Sequence, residues 1–429
     1  MSKVIIFSTG VIKERLIGPE IRVWEFAKNL SCKGHDVTLA VPNRDFPSGK
    51  SFNIVRYADD NIKILTRDKD VAVIQGDIYN KFIEFAERIP TVCDLYDPYI
   101  IECLHLNPES FPSALQTLKK QLLTADFFLC ASEAQRLFYL GMFSMLDRLD
   151  PLHFSVHNKF EHLIDLVPFG ANRENLDFRR TVKPGRPLTI FLGGIYNWYN
   201  PFTSLDCLKI IRRKRKDIKF LFIKFPYQIN AIKDLEKEVL KYATKIGVIE
   251  NVAFGDWVPY EERSKLYSDI DIAVVIHKLT LEATLSFRTR ILDFLSFGVP
   301  VVTNEGGELE NLIKDHECGL IVKENAPELL ADTLISLAED QQKINDLVLR
   351  GRELIKENFL WEKVIEPLEI FCRNPSFYKI SSNSNFVSDN ISESVVFKAI
   401  ESKGADGAKQ FVKKILNRLS SRYKGTVKG

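Results

Sequence analysis

The sequence has little that would staple it, anchor it or charge it. Its seven cysteines, Cys32, Cys93, Cys103, Cys130, Cys207, Cys318 and Cys372, are scattered and include no C-x-x-C pair. That excludes a disulfide framework or a zinc finger and points to free buried thiols in a reducing compartment. No apolar run approaches the ~18 residues of a membrane span. The start of the chain, Met1-Ser-Lys-Val-Ile-Ile-Phe7, is a short apolar strand without the length or cleavage site of a secretory signal. The expectation is a cytoplasmic protein. Lys and Arg number 59 against 57 Asp and Glu, a net charge of +2. A chain so near neutral is not built mainly to hold nucleic acid. The first strand is not followed by G-x-G-x-x-G, so the dinucleotide fingerprint is missing and a dehydrogenase is disfavoured. No carboxylate or histidine cluster suggests a metal, and lone histidines such as His157 and His316 carry no assignment.

What is present suits two sizeable cores. The 429 residues are 45% hydrophobic and 27% charged, globular values in a chain too long for one ordinary domain. Short apolar runs at 4–8, 37–41, 71–75, 91–95, 127–131 and 163–167 alternate with helical patterns. The pattern pauses at the polar stretch 172–187 and restarts at 188–192, 219–225, 252–254, 271–276, 300–303 and 319–322. Strands spaced by helices give βα units and parallel sheets. The expected architecture is α/β: two Rossmann-like, doubly wound domains facing a central cleft, at 1–175 and 186–360. A helix at 361–374 returns to the first domain. A Ser- and Asn-rich spacer and a basic helical tail fill 375–429. In that tail, Phe411, Val412, Ile415, Leu416, Leu419 and Tyr423 share one helical stripe, and 398–428 holds nine Lys or Arg against two acids. Such a helix either lies on an anionic membrane surface or packs on the protein itself.

Four stretches carry possible chemistry. In Ser286-Phe-Arg-Thr-Arg-Ile-Leu-Asp293, Ser286 suits a helix N-cap, and Gly298 suits the helix end. A helix start aimed into a cleft offers N–H groups and positive potential to a diphosphate. Arg288 and Arg290 add charge there, and Asp293 is placed to accept ribose hydroxyls. The plain reading is an αβ unit with solvated arginines. After the strand at 188–192, Gly193 and Gly194 let backbone approach a ligand, with Asn197, Trp198 and Asn200 candidates for the cleft wall; a structural turn looks the same. Gly18 opens a helix before Pro19, where the chain either clears a ligand or simply starts the helix, and Arg22 follows it. Asp94 and Asp97 end a strand, with Glu102 and His105 a turn or two beyond. Two carboxylates at a sheet edge bind hydroxyls or assist proton transfer, or else cap a helix.

At these places the sequence resembles the retaining glycosyltransferases of family 4, often called group 1, over roughly 4–372. The resemblance is carried by Gly18-Pro-Glu-Ile-Arg-Val-Trp24, Val167-Pro-Phe-Gly170, Asn251-Val-Ala-Phe-Gly-Asp-Trp-Val-Pro259 and Gly298-Val-Pro-Val-Val-Thr-Asn-Glu-Gly-Gly307. Asp94-Leu-Tyr-Asp-Pro98, Ala131-Ser-Glu-Ala-Gln-Arg136 and Gly193-Gly-Ile-Tyr-Asn-Trp198 are similar to the branch found in bacterial surface-polysaccharide clusters. The resemblance implies a GT-B-like fold and transfer of a sugar from a nucleotide diphosphate sugar, with retention and without a metal or other cofactor. The acceptor would be a glycan or a lipid-linked glycan, and the tail would meet an anionic membrane surface. On this reading Gly193, Gly194, Trp257, Phe287, Arg288, Arg290 and Asp293 bind the donor, Gly18 binds ligand on the acceptor side, and Asp94, Asp97 and Glu282 are catalytic, with Asp94 and Asp97 facing the acceptor. Two features depart from the family. Its donor motif is usually Glu-x7-Glu, but Leu285 holds the first position here, with Glu282 three residues earlier. The Arg/Lys pair usual after the first strand of the second domain is absent, and Arg288, Arg290 or Lys224 would offset it. A nucleotide-sugar epimerase and a non-catalytic glycan-binding or scaffold module of the same fold are the rival readings.

Overall fold

The computed structural model describes residues 1–378 except 48–50, 87, 150–153, 156, 181–184 and 228, together with Lys413. The first lobe is a seven-stranded sheet of β1 (Lys3–Phe7), β2 (Asp36–Val41), β3 (Asn53–Arg56), β4 (Val71–Gln75), β5 (Thr91–Asp94), β6 (Phe127–Cys130) and β7 (Ile164–Leu166), in the order β3-β2-β1-β4-β5-β6-β7. The second lobe is a six-stranded sheet of β8 (Leu188–Gly194), β9 (Ile218–Ile223), β10 (Val252–Gly255), β11 (Ile272–Val275), β12 (Val301–Asn304) and β13 (Leu320–Val322), in the order β10-β9-β8-β11-β12-β13. Neighbouring strands run parallel throughout both sheets.

Helices cover both faces of each sheet, so the strands are apolar throughout rather than alternating. Val4, Ile5, Ile6 and Phe7 of β1 are all fully buried. In both sheets the strand order reverses beside the first strand, between β1 and β4 and again between β8 and β11. Such switch points leave a crevice at the carboxyl ends of the strands, where ligands bind. Twelve of the thirteen strands fall on the apolar runs of the sequence. The exception is β3, a half-exposed edge strand whose Asn-Ile-Val-Arg sequence has too little apolar content to stand out.

The polar stretch 172–187 joins the lobes, but it is pinned down where it is described. Arg186 forms a two-pronged pair with Asp271 at 2.7 and 2.7 Å. Arg180 donates to the carbonyls of Ile270 and Gly298. After the second sheet the chain crosses back. The short helices Trp361–Val364 and Glu366–Arg373 pack on the first lobe. Trp361 lies edge-on to Phe26 and close to Phe169, with ring centroids 6.1 and 4.9 Å away. Phe371 stacks on Phe127 at 4.8 Å. Gly170 allows this return: a Cβ there would come within 2.7 Å of the Trp361 ring and 2.9 Å of its backbone nitrogen. The spacer beyond Tyr378 and the basic tail, Lys413 apart, lie outside the described residues. Among the described residues no helix is long and apolar enough to cross a membrane.

Candidate active site

Residues that follow β1, β5, β8, β9 and β10 meet the segment Glu282–Phe294 around a cavity of about 380 Å³ between the lobes. Gly18, Asp97, Gly193, Gly194, Trp257, Glu282, Phe287, Arg288, Arg290 and Asp293 all line it. Asp94 does not, which corrects its placement in the site. Its carboxylate is fully buried and held by Arg22, with Nε to Oδ2 at 2.7 Å and Nη2 to Oδ1 at 2.9 Å. Gln75 adds a third bond at 2.8 Å. Arg22, a candidate for the cleft face, is spent on this pair and on the carbonyls of Val167 and Pro168. The pair lies behind the site wall, where it ties the opening helix to the end of β5.

The segment at 281–297 also differs from expectation. It is two helices, Leu281–Leu285 and Thr289–Phe297, with an extended break between them. Ser286 is therefore not the N-cap; Arg288 holds that position. The Ser286 hydroxyl bonds Glu282 instead, and its N–H closes the first helix on the Glu282 carbonyl at 2.8 Å. The break folds Arg288 back on Glu282 in a buried two-pronged pair at 2.8 and 2.7 Å. The second helix start still opens into the cavity through Thr289 and Arg290.

The cavity's cations are unequal as a result. Arg288 is neutralised by Glu282, and Arg263 by Asp293. Among the described residues Arg290 has no carboxylate partner. It donates to the carbonyls of Leu192 and Gly194 at 3.3 and 3.2 Å and lies 4.4 Å from the Tyr199 ring centroid. Gly193 lies directly against this side chain. Gly193 has φ +72°, and a Cβ there would sit 2.5 Å from the Arg290 guanidinium. Arg290 thus brings positive charge to the end of β8. Lys224 points to solvent and is not in the wall.

The remaining candidates divide. Trp198 lines the cavity, whereas Asn200 caps the next helix by accepting from Thr203. The Asn197 amide bridges the lobes to the His105 carbonyl at 2.9 Å, so His105 contributes backbone alone to that bridge. Trp257 donates across the lobes to the Leu16 carbonyl at 3.0 Å. Asp293 takes Arg263 and Tyr267 on the same oxygen; burial raises its carboxyl, and Arg263 opposes the rise. Sequence reasoning missed Arg263, Tyr260 and Tyr196. No periodicity marks Arg263 and Tyr260, which sit on short turns of helix after Pro259.

The opposite wall is acidic. Asp97 and Glu102 face Glu282 across the lobes, and both carboxyls are raised, chiefly by burial. Among the described residues no cluster of three or more His, Cys, Asp or Glu is arranged to hold a metal ion. Behind Glu282 and Arg288 lies a second buried pair, His277 Nδ1 and Glu310 Oε1, 3.8 Å apart. Among the described residues no side chain hydrogen-bonds either group.

Comparison with known proteins agrees with this architecture. The fold is similar to that of Anabaena HepE (Alr3699) in complex with UDP and glucose, with TM-score 0.64 and 13% identity, covering 87% of this chain and 100% of that one. Sucrose-phosphate synthase (tll1590) from Thermosynechococcus elongatus gives 0.62 and 14%, over 86% and 98%. WaaG, a glycosyltransferase involved in lipopolysaccharide biosynthesis, gives 0.61 and 13%, over 86% and 99%. The chain therefore has the two-lobed GT-B fold. Residues 172–354, which contain the whole second sheet, match the model of the family described as glycosyl transferases group 1. No curated protein sequence matches the chain.

The His277–Glu310 pair has a measurable consequence. Burial pushes Glu310 from 4.5 up to about 7. Burial, then Arg288, presses His277 from 6.5 down to about 3. Between pH 4.5 and about 7 the folded chain keeps a proton on Glu310 that the unfolded chain has released, so this contribution to stability fades as pH rises. Below pH 6.5 the unfolded chain charges His277 and the folded chain does not, so that contribution fades as pH falls. The two oppose each other between pH 4.5 and 6.5. In Glu310→Gln the histidine acts alone. Denaturant unfolding of this variant will show stability falling more steeply on acidification through that window than in the parent chain, and equal slopes would refute the assignment.

Proposed function

We propose that the chain is a glycosyltransferase that moves a sugar from a nucleotide diphosphate sugar to a glycan or lipid-linked acceptor. The observation that carries this reading is Arg290. It is a cation without a carboxylate partner, set between a Gly-Gly turn and a helix start, and it faces an interlobe cavity large enough for a nucleotide. The diphosphate would lie against its guanidinium and the Thr289 and Arg290 N–H groups at the start of the helix Thr289–Phe297, the Ile291 N–H being bonded to the Arg288 carbonyl. Negative charge grows there as the sugar–phosphate bond breaks, and fixed donors in a site shielded from water stabilise it. In this reading the protein supplies that charge itself and needs no metal. The aromatic wall of Phe225 and Trp257, with rings edge-on at 6.0 Å, would hold the base.

Retention at the anomeric carbon, and a place in surface-polysaccharide synthesis, follow from the resemblance to family 4. WaaG, a glycosyltransferase involved in lipopolysaccharide biosynthesis, is a structural analogue in keeping with the second, and HepE in complex with UDP and glucose is in keeping with a nucleotide-sugar donor. The basic amphipathic tail, with its apolar stripe at 408–423 and its basic excess over 398–428, is read as a contact with an anionic membrane that brings the enzyme to a lipid-linked acceptor. Deleting 379–429 will lower co-sedimentation with phosphatidylglycerol vesicles, and undiminished binding would remove the membrane from this account.

The donor site has its own test. Nucleoside diphosphates that bind the chain should raise its melting temperature by mass action. Arg290→Ala, correctly folded, is expected to weaken that binding by about tenfold or more, the worth of a charge-assisted contact. Unaltered affinity would place the diphosphate elsewhere.

A further inference from the structure

The cavity has a charge imbalance that diphosphate binding does not explain. Of its bordering carboxylates, Asp293 is neutralised by Arg263 and Glu282 by Arg288. Asp94, just behind the wall, is neutralised by Arg22. Among the described residues Arg290 is the cavity cation with no carboxylate partner, and in the reading above the diphosphate claims it. Asp97 and Glu102 then remain with no cation of their own. Both line the cavity, at the end of β5 and on the helix Tyr99–Leu106. Among the described residues no basic side chain bonds either of them, and no hydrogen bond reaches the Glu102 carboxylate. Glu102 feels Asp97 and Glu282 as like charges and Arg288 as its one opposite charge. Asp97 feels Asp94 and Glu282 against Arg22, with Tyr96 as its hydrogen-bond partner. Half-buried carboxylates that line a cavity with so few partners are open to hydrogen-bond donors from a ligand.

We infer that this wall receives the sugar of the donor, and that Glu102 is a specificity residue that admits sugars bearing only hydroxyl groups and rejects those bearing a carboxylate. The inference rests on the nucleotide-sugar reading above. Hydroxyls of a neutral hexose donate to the Glu102 and Asp97 oxygens, which the protein leaves open. A uronate would add a fourth carboxylate to Asp97, Glu102 and Glu282, in a pocket that already raises the carboxyls of Asp97 and Glu102 by burial and so resists further negative charge. Glu282 cannot relieve that charge through Arg288, because its own two oxygens already occupy the guanidinium.

The experiment is calorimetric titration of the full chain, first with UDP, GDP, ADP and dTDP to find the diphosphate that binds. The same nucleotide is then titrated as its neutral hexose and as its hexuronate; for uridine these are UDP-glucose and UDP-glucuronate. The hexose should bind at least as well as the plain diphosphate, and the hexuronate about tenfold or more weaker than the hexose. In Glu102→Gln that gap should shrink to about threefold or less, each affinity being taken relative to the plain diphosphate of the same variant. If Glu102→Gln does not fold, Asp97→Asn removes the neighbouring charge and should narrow the gap in the same sense. A hexuronate that binds the parent chain as well as the hexose, or a gap that survives both substitutions, overturns the inference. Absence of binding by every plain diphosphate would instead overturn the nucleotide-sugar reading itself.

Discussion

The buried pair of Glu282 and Arg288 governs how charge is distributed between the lobes. It forms because the chain breaks its helix at Ser286 and folds six residues back on themselves, with the two guanidinium nitrogens 2.8 and 2.7 Å from the carboxylate oxygens. A buried ion pair gains little net stability against an apolar replacement, but losing one partner strands the other at high cost. The pair therefore fixes geometry more than it adds energy. It sets the exit of the second helix, whose start opens on the cavity, and it removes Arg288 from the charges available to a ligand. Arg290, two residues on, is left without a carboxylate partner among the described residues.

The lobes meet on both sides of that pair. Gln135 donates to the Leu285 carbonyl at 2.8 Å, and Glu308 accepts from the Glu133 amide at 2.9 Å. On the other side the Tyr260 N–H reaches the Glu14 carbonyl at 3.0 Å, and its hydroxyl donates to buried Glu25 at 2.8 Å. The helices after Leu360 lock the end of the second lobe onto the first through Trp361 and Phe371. These contacts hold the lobes together around the cavity, where a transfer reaction must limit water if the donor is not to be hydrolysed. They also explain the raised carboxyls of Asp97 and Glu102, since closure brings them near Glu282 and away from solvent.

Much of the fold was legible because parallel strands covered on both faces must be apolar runs. Only β3, at the sheet edge and half exposed, escaped that signal. The site was legible as a set of residues but not as a set of pairings. Gly193, Gly194, Arg290 and Trp257 reached the cavity from motifs visible in the sequence. Spacing could not show that Arg22 would consume Asp94, because the two lie 72 residues apart. It could not show that Ser286 would bond Glu282 rather than cap a helix, since both uses suit a serine before a helical run. Arg263 and Tyr260 were invisible for a similar reason: their roles come from tertiary contact with Asp293 and Glu25. Glu282, three residues away from the usual motif position, pairs with Arg288 and does not project alone into the cavity.

The central claim is that a nucleotide diphosphate sits between the lobes against Arg290 and the start of the Thr289–Phe297 helix. Amide hydrogen exchange on the full chain, with and without the diphosphate that binds it, tests this most directly. The account predicts added protection at Gly193–Trp198 and at Thr289–Ile291, with the edge strands β3 and β13 unchanged. Protection confined to regions outside the interlobe cavity would contradict it.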